Sequence, residues 1–576
     1  MSKTVTFEQF LTKDPLDNYG DIELYKSKYL PLIKKYNQRL EENILDEYKI
    51  DLPKPRDELI AEQFDAVDYL YKAKLLTERE FEITDSSATK IVSEIANGNW
   101  TCAEVFTAFA KRATIAHQFT NCAHELFTKE GLERAKELDE YYKANGKTVG
   151  PLHGLPISLK EFISLKGKVT HGGYAAFVEN IAEDDSVTAK ILKDAGAVYY
   201  IRTTQPLTLM QLDSENNYSG FTKNPFNLLL SSGGSSSGEG AVVSFGGSTL
   251  GVGSDIGGSI RSPAGFSGCH GFRPTTRRIS NFGNVANYTG QESVSPVTGP
   301  LGRSVSDIEL FMKTYINEGK PWNYDTWSIP MLWRDVPKPK ADQLTIGVVR
   351  DDGFVRPSPP IRRGIDVVVS KLEAAGVKVV PFVQKNAKLA YETVHKMYTC
   401  DGNDESRSLI AKSGEPIPKL TKWSLNYGDG ARVYTAAENR HLNTIRDDLR
   451  EEYNKFFMDN KVDFILSPLY NNVAPHSGEV YNWSYTSIFN ILDLPTLAFQ
   501  TGLRQDPELD VWTEEDKKHV YRSDLEQLEN ENYKPDEFKG APIALQLSGR
   551  RYFDEEVLAS ARLIIDDILK VDLFKH

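Results

Sequence analysis

The residues best suited to chemistry in this chain are the serines of a glycine-rich stretch and one lysine upstream of it, Lys160. The stretch spans residues 231–268 and reads SSGGSSSGEGAVVSFGGSTLGVGSDIGGSIRSPAGFSG, with 12 glycines and 11 serines among its 38 residues. Glycines let a backbone turn sharply and approach a ligand closely. A serine hydroxyl becomes an effective nucleophile when a base removes its proton. The pattern therefore favours a site in which a base activates one of these serines.

The same composition is also typical of a flexible linker. Apolar clusters interrupt the glycines, however, and a linker has no need of a buried strand. The pattern predicts a helix from about residue 239 to 245, a strand from about 249 to 254 and a helix that begins near residue 261. These elements would hold the serines on a rigid body.

Short motifs for cofactors and metals do not match this chain. The dinucleotide spacing GxGxxG fails after Gly238 and again after Gly251, and no P-loop is present. The ten histidines are scattered and none lies in an HExxH motif. The sequence therefore predicts neither a cofactor nor a metal ion.

Residues 234–238 fit GxSxG, the nucleophile elbow of α/β-hydrolases, with Ser236 as the nucleophile. An elbow should follow a hydrophobic strand directly, and the run NPFNLLLSSGG intervenes here. Nothing marks one of the downstream histidines as the partner of Ser236. An α/β-hydrolase-type esterase that uses Ser236 remains a minor alternative.

Lys160 lies in the run GLPISLKEFISL, whose apolar residues could bury it. A lysine accepts a proton only when it is neutral, and its ordinary pKa is about 10.4. Burial or a positive environment must therefore lower the pKa of Lys160 before it can act as a base. A lysine without such a role would usually extend to solvent.

The run GGSSSGEGAVVSFGGSTLGVGSDIGGSIRSPAGFSGCHGFRPT resembles the signature of the amidase signature family, serine hydrolases with a Ser–cis-Ser–Lys triad. The run GLPISLKEF resembles the lysine motif of that family. The first match extends without gaps over about forty residues, and coarser similarity runs from about residue 85 to the C-terminus. The N-terminal extension and the segment CDGNDESRSLIAKSGEP look most like fungal acetamidase-type members.

The resemblance implies a role for each residue of the triad. Ser259 matches the nucleophile, Ser235 matches the bridging serine, and Lys160 matches the base. The peptide bond between Gly234 and Ser235 would be cis. Neutral Lys160 would take a proton from Ser235, which would take one from Ser259 as it attacks the carbonyl.

The resemblance also implies where the substrate would bind. The backbone N–H groups of Ile256, Gly257, Gly258 and Ser259 would form the oxyanion hole. Pocket positions of the family align with the following residues: Leu209, Gln211, 398–401 and 483–488. Asp255 is expected to accept N–H bonds within the turn, and Arg261 is expected to be an internal strut.

Alternating helix and strand signals from Asp85 onward indicate an α/β body with a buried central sheet. The resemblance implies a large mixed, mostly twisted central β-sheet with helices on both faces. We therefore expect a catalytic domain at 85–576. Residues 1–84 are predicted to form a helical N-terminal extension, with apolar residues at helical spacing between Tyr25 and Tyr48.

The charge and cysteine content of the chain limit the binding partners and the cellular compartment that we expect. A net charge of −13 and a pI near 5.5 disfavour nucleic acid and anionic membranes as partners. Four cysteines without a CxxC pair favour a reducing compartment. No secretory signal and no run of 18 apolar residues is visible, so we expect a cytoplasmic protein without a membrane span. The N-terminal extension could support a homodimer.

The function that the sequence favours is a serine amidohydrolase. It would cleave small acetamide-like amides to acid and ammonia through an acyl-enzyme on Ser259, with aryl amides and ethyl carbamate as further candidates. Two alternatives stay open besides the Ser236 esterase. One is a fatty acid amide hydrolase-like enzyme for long acyl amides, and the other is a noncatalytic family member that serves as a binding subunit.

Overall fold

The structure is a computed structural model that describes residues 20–285, 290–384, 386–426 and 432–575. An eleven-stranded mixed sheet organises it, and a two-stranded hairpin lies beside that sheet. In chain order the strands are β1 Ala123–Leu126, β2 Pro156–Lys160, β3 Val198–Thr203, β4 Lys223–Asn224, β5 Asn227–Ser231, β6 Leu250–Asp255, β7 His270–Arg273, β8 Val297–Gly302, β9 Thr345–Val348, β10 Lys378–Pro381, β11 Phe464–Pro468, β12 Thr496–Arg504 and β13 Pro542–Ser548. Strands β4 and β5 form the hairpin, and the other strands form the sheet.

Helices cover both faces of the sheet, as predicted. The α-helices are α1 Ile22–Leu24, α2 Leu30–Asn43, α3 Arg56–Ala61, α4 Ala66–Lys72, α5 Glu78–Thr84, α6 Ala88–Ala96, α7 Cys102–Thr120, α8 Thr128–Asn145, α9 Val187–Asp194, α10 Ser237–Phe245, α11 Arg261–Ser267, α12 Val305–Lys313, α13 Pro359–Ala374, α14 Ala387–Tyr398, α15 Asp404–Ser413, α16 Lys419–Asn426, α17 Ala436–Asp459, α18 Ser484–Ile491, α19 Asp524–Glu531 and α20 Asp554–Arg562.

The strand order across the sheet is β1-β3-β2-β6-β8-β7-β12-β13-β11-β9-β10. Strand β2 runs parallel to both β3 and β6, whereas β6 runs antiparallel to β8. Parallel neighbours end at the same edge of a sheet. Lys160, the last residue of β2, therefore lies at the same edge as Ser254 and Asp255, which end β6.

The elements predicted within the glycine-rich stretch are confirmed. The helix is α10, the strand is β6, and the second helix is α11, which begins at Arg261. All residues of both helices are buried, so small side chains let them pack closely. The linker interpretation is therefore wrong, because the stretch lies in the core.

The N-terminal residues are helical and pack onto the body. Tyr25, Tyr29, Ile33 and Tyr36 are buried in one cluster with Val169, Ala175, Val178 and Tyr218. Helices α3 to α5 contribute Leu59, Leu70 and Ile83, among others, to the main core. The apolar core thus continues across the expected boundary, and the division at residues 84 and 85 stays a prediction.

Two local sequence patterns differ from the structure. In the sequence, Ser86 and Thr101 fit the position before a helix; Thr101 caps α7, but at α6 it is Ser87 that accepts the capping bond, from the Lys90 N–H. The sequence from Arg56 through Leu76 fits a single helix, but the structure has two helices there, α3 and α4. The polar, acidic segment from residue 505 to 540 lies mostly at the surface, as its composition suggests, but it carries helix α19, in which Glu529 is buried. Glu529 accepts bonds from Tyr470 Oη and from the N–H groups of Tyr481 and Asn482, so it anchors the loop before α18.

The described residues contain no helix that is long and apolar enough to cross a membrane.

Candidate active site

Lys160 lies completely buried at the end of β2, where its side chain meets two serines. Its Nζ atom donates hydrogen bonds to Ser235 Oγ at 2.6 Å and to Ser254 Oγ at 2.9 Å. Ser254 reaches Nζ because β6 lies beside β2 in parallel register. The lysine is thus held between the serine-rich loop and the neighbouring strand.

Burial lowers the pKa of Lys160 from its ordinary value to about 7. The negative charges of Asp255 and Glu239 oppose this shift, but the loss of hydration outweighs them. About half of the lysine is therefore neutral near pH 7. A neutral amine in contact with a hydroxyl can accept its proton.

The Gly234–Ser235 peptide bond is cis, as the sequence resemblance implied. Gly234 has no room for a side chain, since a Cβ atom would lie 1.8 Å from the carbonyl oxygen of Asp213. Gly233 adopts φ = +80°, a conformation that glycine adopts without steric cost. The sequence GGS at this point therefore sets the path of the chain toward Lys160.

Ser259 lies in the loop between β6 and α11, and its carbonyl oxygen accepts a bond from the Ser236 N–H at 3.1 Å. Ser259 and Ser235 line the same cavity. Among the hydrogen bonds of the described residues, none joins the two hydroxyl groups. Catalytic hydrogen bonds are often long in free enzymes and shorten when substrate binds. The structure thus links Lys160 to Ser235 and brings Ser259 to the same space.

The loop from Ile256 to Ser259 presents backbone donors to this space. In the described part of the chain, the N–H groups of Ile256, Gly257 and Ser259 have no hydrogen-bond acceptor, whereas the Gly258 N–H donates to Asp255 Oδ1 at 2.9 Å. Three of the four predicted donors are therefore available to an oxyanion, and Gly258 is engaged by the loop itself.

Two of these donors are oriented through their own peptide planes. The carbonyl of Ile256 accepts from Tyr398 Oη at 2.6 Å, and the carbonyl of Gly258 accepts from the Ser262 N–H at 2.7 Å. Because a peptide unit is planar and trans, fixing each carbonyl points the next N–H, of Gly257 or Ser259, in the opposite direction.

Glycine is required in this loop because residues of α18 and its flank pack against it. A Cβ atom on Gly257 would lie 2.9 Å from the Trp483 ring. Gly258 has φ = +130°, and a Cβ atom there would lie 2.6 Å from the Thr486 side chain. Thr486 Oγ1 also donates to the Gly257 carbonyl at 2.6 Å. The segment 483–488 was expected to line the pocket; it is not among the residues that line the serine cavity, and Trp483 and Thr486 instead pack against the loop.

Asp255 and Arg261 hold the two ends of the loop together. Asp255 accepts from the Gly258 and Ile260 N–H groups and from Arg261, and both side chains are fully buried. Although burial opposes it, the Arg261 guanidinium holds the pKa of Asp255 well below its usual range. Arg261 also bonds Thr486 O, Asn490 Oδ1 and Gln546 Oε1. The expected roles of Asp255 as a turn acceptor and of Arg261 as a strut are confirmed.

The cavity at the serines has a volume of about 70 Å³. Its wall is mostly apolar and includes three serine and two asparagine side chains; the lining residues are Phe162, Leu209, Met210, Ser235, Ser254, Ile256, Ser259, Asn281, Asn284 and Pro296. Leu209 and Ile256 lie where the resemblance put them. Gln211 is not among the lining residues, and its buried amide donates to Thr421 Oγ1.

Ser236 is engaged by the backbone of β6. Its Oγ atom accepts from the Ser254 N–H at 3.1 Å and donates to the Ser254 carbonyl at 3.3 Å. These bonds fix the start of α10 to the strand that carries Ser254. A structural role explains Ser236 without any catalytic function.

Sequence reasoning missed Ser254, Asn281 and Asn284. The signal for Ser254 was available, because it precedes Asp255 at the end of a predicted strand whose neighbour ends at Lys160. Asn281 and Asn284 lie in a turn outside every recognised motif. No signal in a single sequence distinguishes them from ordinary turn residues.

The chain has extensive similarity to known proteins. The family model described as amidase matches residues 104–558. The acetamidase of Emericella nidulans is 38% identical over 535 residues, which cover 91% of this chain and 95% of that protein. The acetamidase of Aspergillus oryzae is 35% identical over 545 residues, covering 91% and 96%.

One solved structure, of a fatty acid amide hydrolase, superposes with a TM-score of 0.97. It is 63% identical in sequence and covers 99% of this chain and 100% of its own.

Removal of the Asp255 carboxylate should destabilise the protein strongly. Asp255→Asn leaves Arg261 buried without its counter-charge, and breaking such a pair costs about 3–5 kcal/mol. The difference in free energy of unfolding between the wild type and this variant should have its full size at pH 7. It should begin to shrink only below about pH 4, where the carboxylate of the unfolded wild type takes up a proton. Urea unfolding at several pH values measures this.

Two further variants provide the comparison. The double variant Asp255→Asn/Arg261→Met should lose less stability than the sum of its single changes, because the unpaired charge is gone. Asp184→Asn, at an exposed ion pair with Lys166, should change stability little. Equal losses of stability in Asp255→Asn and Asp184→Asn would contradict the role of the Asp255–Arg261 pair in holding the loop.

Proposed function

The chain belongs to the amidase signature family of amide-hydrolysing enzymes, and we propose that Ser259, Ser235 and Lys160 form its catalytic triad. The observation that carries this proposal is the contact of a fully buried lysine, with its pKa lowered to about 7, with the Ser235 hydroxyl at 2.6 Å. Neutral Lys160 takes the proton of Ser235, and Ser235 takes the proton of Ser259 as Ser259 attacks the substrate carbonyl.

The developing oxyanion is bound by backbone N–H groups. Those of Ile256, Gly257 and Ser259 have no acceptor among the described residues, and each such donor typically contributes about 3 kcal/mol in the transition state. The Gly258 N–H, bonded to Asp255, helps to keep the loop in shape. Catalysis therefore depends on a loop whose geometry is fixed before substrate arrives.

Collapse of the tetrahedral intermediate reverses the proton path. The C–N bond breaks, the nitrogen takes the proton that Lys160 and Ser235 had accepted, and ammonia or an amine leaves an acyl group on Ser259. A water molecule then loses its proton to the same relay and attacks the acyl-enzyme. The carboxylic acid leaves, and the Ser259 hydroxyl is restored.

We propose small carboxylic amides as the substrates. The acetamidases of two fungi share 35–38% of their residues with this chain over nearly its full length. The cavity volume of about 70 Å³ suits a short acyl group, and its apolar wall suits a group without charge. Aryl amides and ethyl carbamate are further candidates, because they present the same carbonyl and nitrogen to Ser259.

Long acyl amides are the second candidate class. The 63% identical solved structure is named a fatty acid amide hydrolase, and that similarity covers 99% of this chain and 100% of that one. The apolar side chains of Phe162, Leu209 and Met210 could extend a binding surface along an acyl chain. This class requires the cavity to open beyond its present volume.

Alanine at each serine and at the lysine tests the triad. Ser259→Ala and Lys160→Ala should each lower kcat for ammonia release from acetamide by about 10³-fold or more, because the nucleophile or its base is lost. Ser236→Ala should retain substantial activity, since its hydroxyl only bonds the β6 backbone. Full activity in Ser259→Ala, or loss confined to Ser236→Ala, would end the triad assignment.

Activity should follow the protonation of Lys160. Its pKa is lowered to about 7, and only the neutral form accepts a proton, so kcat/KM should rise with pH and level off above about pH 8. At pH 6 it should be about tenfold below the plateau. Measurements of kcat/KM with a neutral amide, between about pH 5.5 and about pH 9, report this titration in the free enzyme. A profile that stays flat across neutral pH contradicts Lys160 as the base.

A series of primary amides separates the two substrate classes. If small amides are the substrates, kcat/KM should be highest for acetamide or propionamide and should fall through hexanamide to oleamide, since the longer chains exceed the cavity. The reverse order would favour the fatty amide class and leave the triad untouched. Ser259→Ala, assayed with each amide, supplies the background.

A further inference from the structure

The polar groups on the wall of the catalytic cavity are nearly all accounted for. Ser235 and Ser254 accept bonds from Lys160, and Ser259 is the proposed nucleophile. Both polar atoms of the Asn281 side chain are hydrogen-bonded within the protein. Its Nδ2 donates to the Pro296 carbonyl at 2.8 Å, and its Oδ1 accepts from Thr298 Oγ1 at 2.7 Å. These groups shape the wall or take part in proton transfer.

Asn284 is different. It lines the same cavity, and both its Nδ2 and its Oδ1 atom are buried without a hydrogen-bond partner among the described residues. Buried carboxamides in folded proteins are nearly always hydrogen-bonded, and an exception calls for an explanation. A side chain that has left water and bonds nothing within the protein is suited to bond a ligand.

The backbone holds Asn284 in place from both sides. Its own N–H donates to the Asn281 carbonyl at 3.2 Å, and the Val285 N–H donates to the Phe162 carbonyl at 2.9 Å. Gly283 adopts φ = +86°, and a Cβ atom there would lie 2.9 Å from Ser186 Cα, so the turn requires glycine. Phe162 follows Lys160 by two residues, which ties the turn to the strand that carries the lysine.

The chemistry of the substrate identifies what is left for Asn284 to bond. The carbonyl oxygen of a scissile amide faces the N–H groups of the loop that follows β6. Its nitrogen keeps at least one N–H in a primary or secondary amide, and of the two described carboxamides that line this cavity, Asn284 is the one whose Oδ1 has no donor. An ester of the same shape has no such hydrogen. A site that bonds a substrate N–H discriminates against the analogue that lacks it.

We propose that Asn284 is a specificity residue that accepts a hydrogen bond from the scissile nitrogen and so favours amides over esters. The bond fixes rotation about the nitrogen, which turns its lone pair toward Ser235 for protonation when the C–N bond breaks. The inference rests on the proposed function of Ser259, Ser235 and Lys160. It adds the group that recognises the leaving nitrogen.

A matched amide and ester test this inference. The substrates are an N-ethyl amide and the ethyl ester of the same acid, which differ by N–H against O, with the acyl group that the wild-type enzyme turns over fastest. Asn284→Leu keeps the side-chain shape and removes both polar atoms. It should lower kcat/KM for the amide about tenfold and for the ester less than about threefold, so that the amide-to-ester ratio falls.

Asn284→Ala serves as a second variant and should lower the ratio in the same direction. Asn281→Ala, whose lost bonds are structural, should lower the thermal midpoint and leave the ratio unchanged. The rate at which a fluorophosphonate labels Ser259 should be similar in the wild type and in both Asn284 variants, because that reagent has no N–H. This rate shows that the nucleophile is still active.

The outcomes separate the inference from its premise. An unchanged amide-to-ester ratio in either Asn284 variant that folds, with wild-type turnover of the amide, overturns the inference and leaves the triad intact. Equal losses for amide and ester also overturn it, because they show that Asn284 only shapes the cavity. A wild-type enzyme that hydrolyses no amide overturns the proposed function, and the inference falls with it.

Discussion

The burial of Lys160 is the constraint on which the rest of this structure depends. A lysine removed from water loses the hydration of its charged form, and two serine hydroxyls are its hydrogen-bond partners in return. The amine is tolerated there because it can be neutral near pH 7. The parallel pairing of β2 with β6 makes this possible, since it brings the ends of both strands to one edge.

Two buried carboxylates near the lysine have pKa values shifted in opposite directions, and the charge of each affects the pKa of Lys160. Asp255 is paired with Arg261, and so stays ionised while it holds the glycine loop. Among the described residues, no guanidinium pairs with Glu239 on α10. Burial raises the pKa of Glu239 to about 8, although hydrogen bonds from Ser158 and Thr203 and the charge of Lys160 act in the other direction. The charge of Glu239 acts to raise the pKa of Lys160, and this effect becomes smaller as Glu239 takes up a proton.

The sequence was most informative where chain-local rules decide the structure. Helix α10, strand β6 and the start of α11 follow from apolar spacing and glycine positions, and the resemblance supplied the cis bond before Ser235. What could not be predicted depends on contacts between distant segments. The bond from Tyr398 to the Ile256 carbonyl joins residues 142 positions apart, and the buried anchor Glu529 looked like an ordinary acidic surface residue. The amide of Asn284 has no sequence signal, because its burial depends on contacts of the turn with distant segments, such as the bond from the Val285 N–H to the Phe162 carbonyl.

The glycines of the loop that carries Ser259 show how fold and chemistry limit each other. An oxyanion hole needs several N–H groups that point to one space, which exposes their carbonyls on the opposite side. Those carbonyls lie in the core, where each requires a donor, and Tyr398, Thr486 and the Ser262 N–H supply them. Such donors must come close, so Trp483 and Thr486 occupy the space that side chains at 257 and 258 would need. The absence of side chains in the loop is therefore as much a consequence of supporting its carbonyls as of admitting a substrate to its N–H groups.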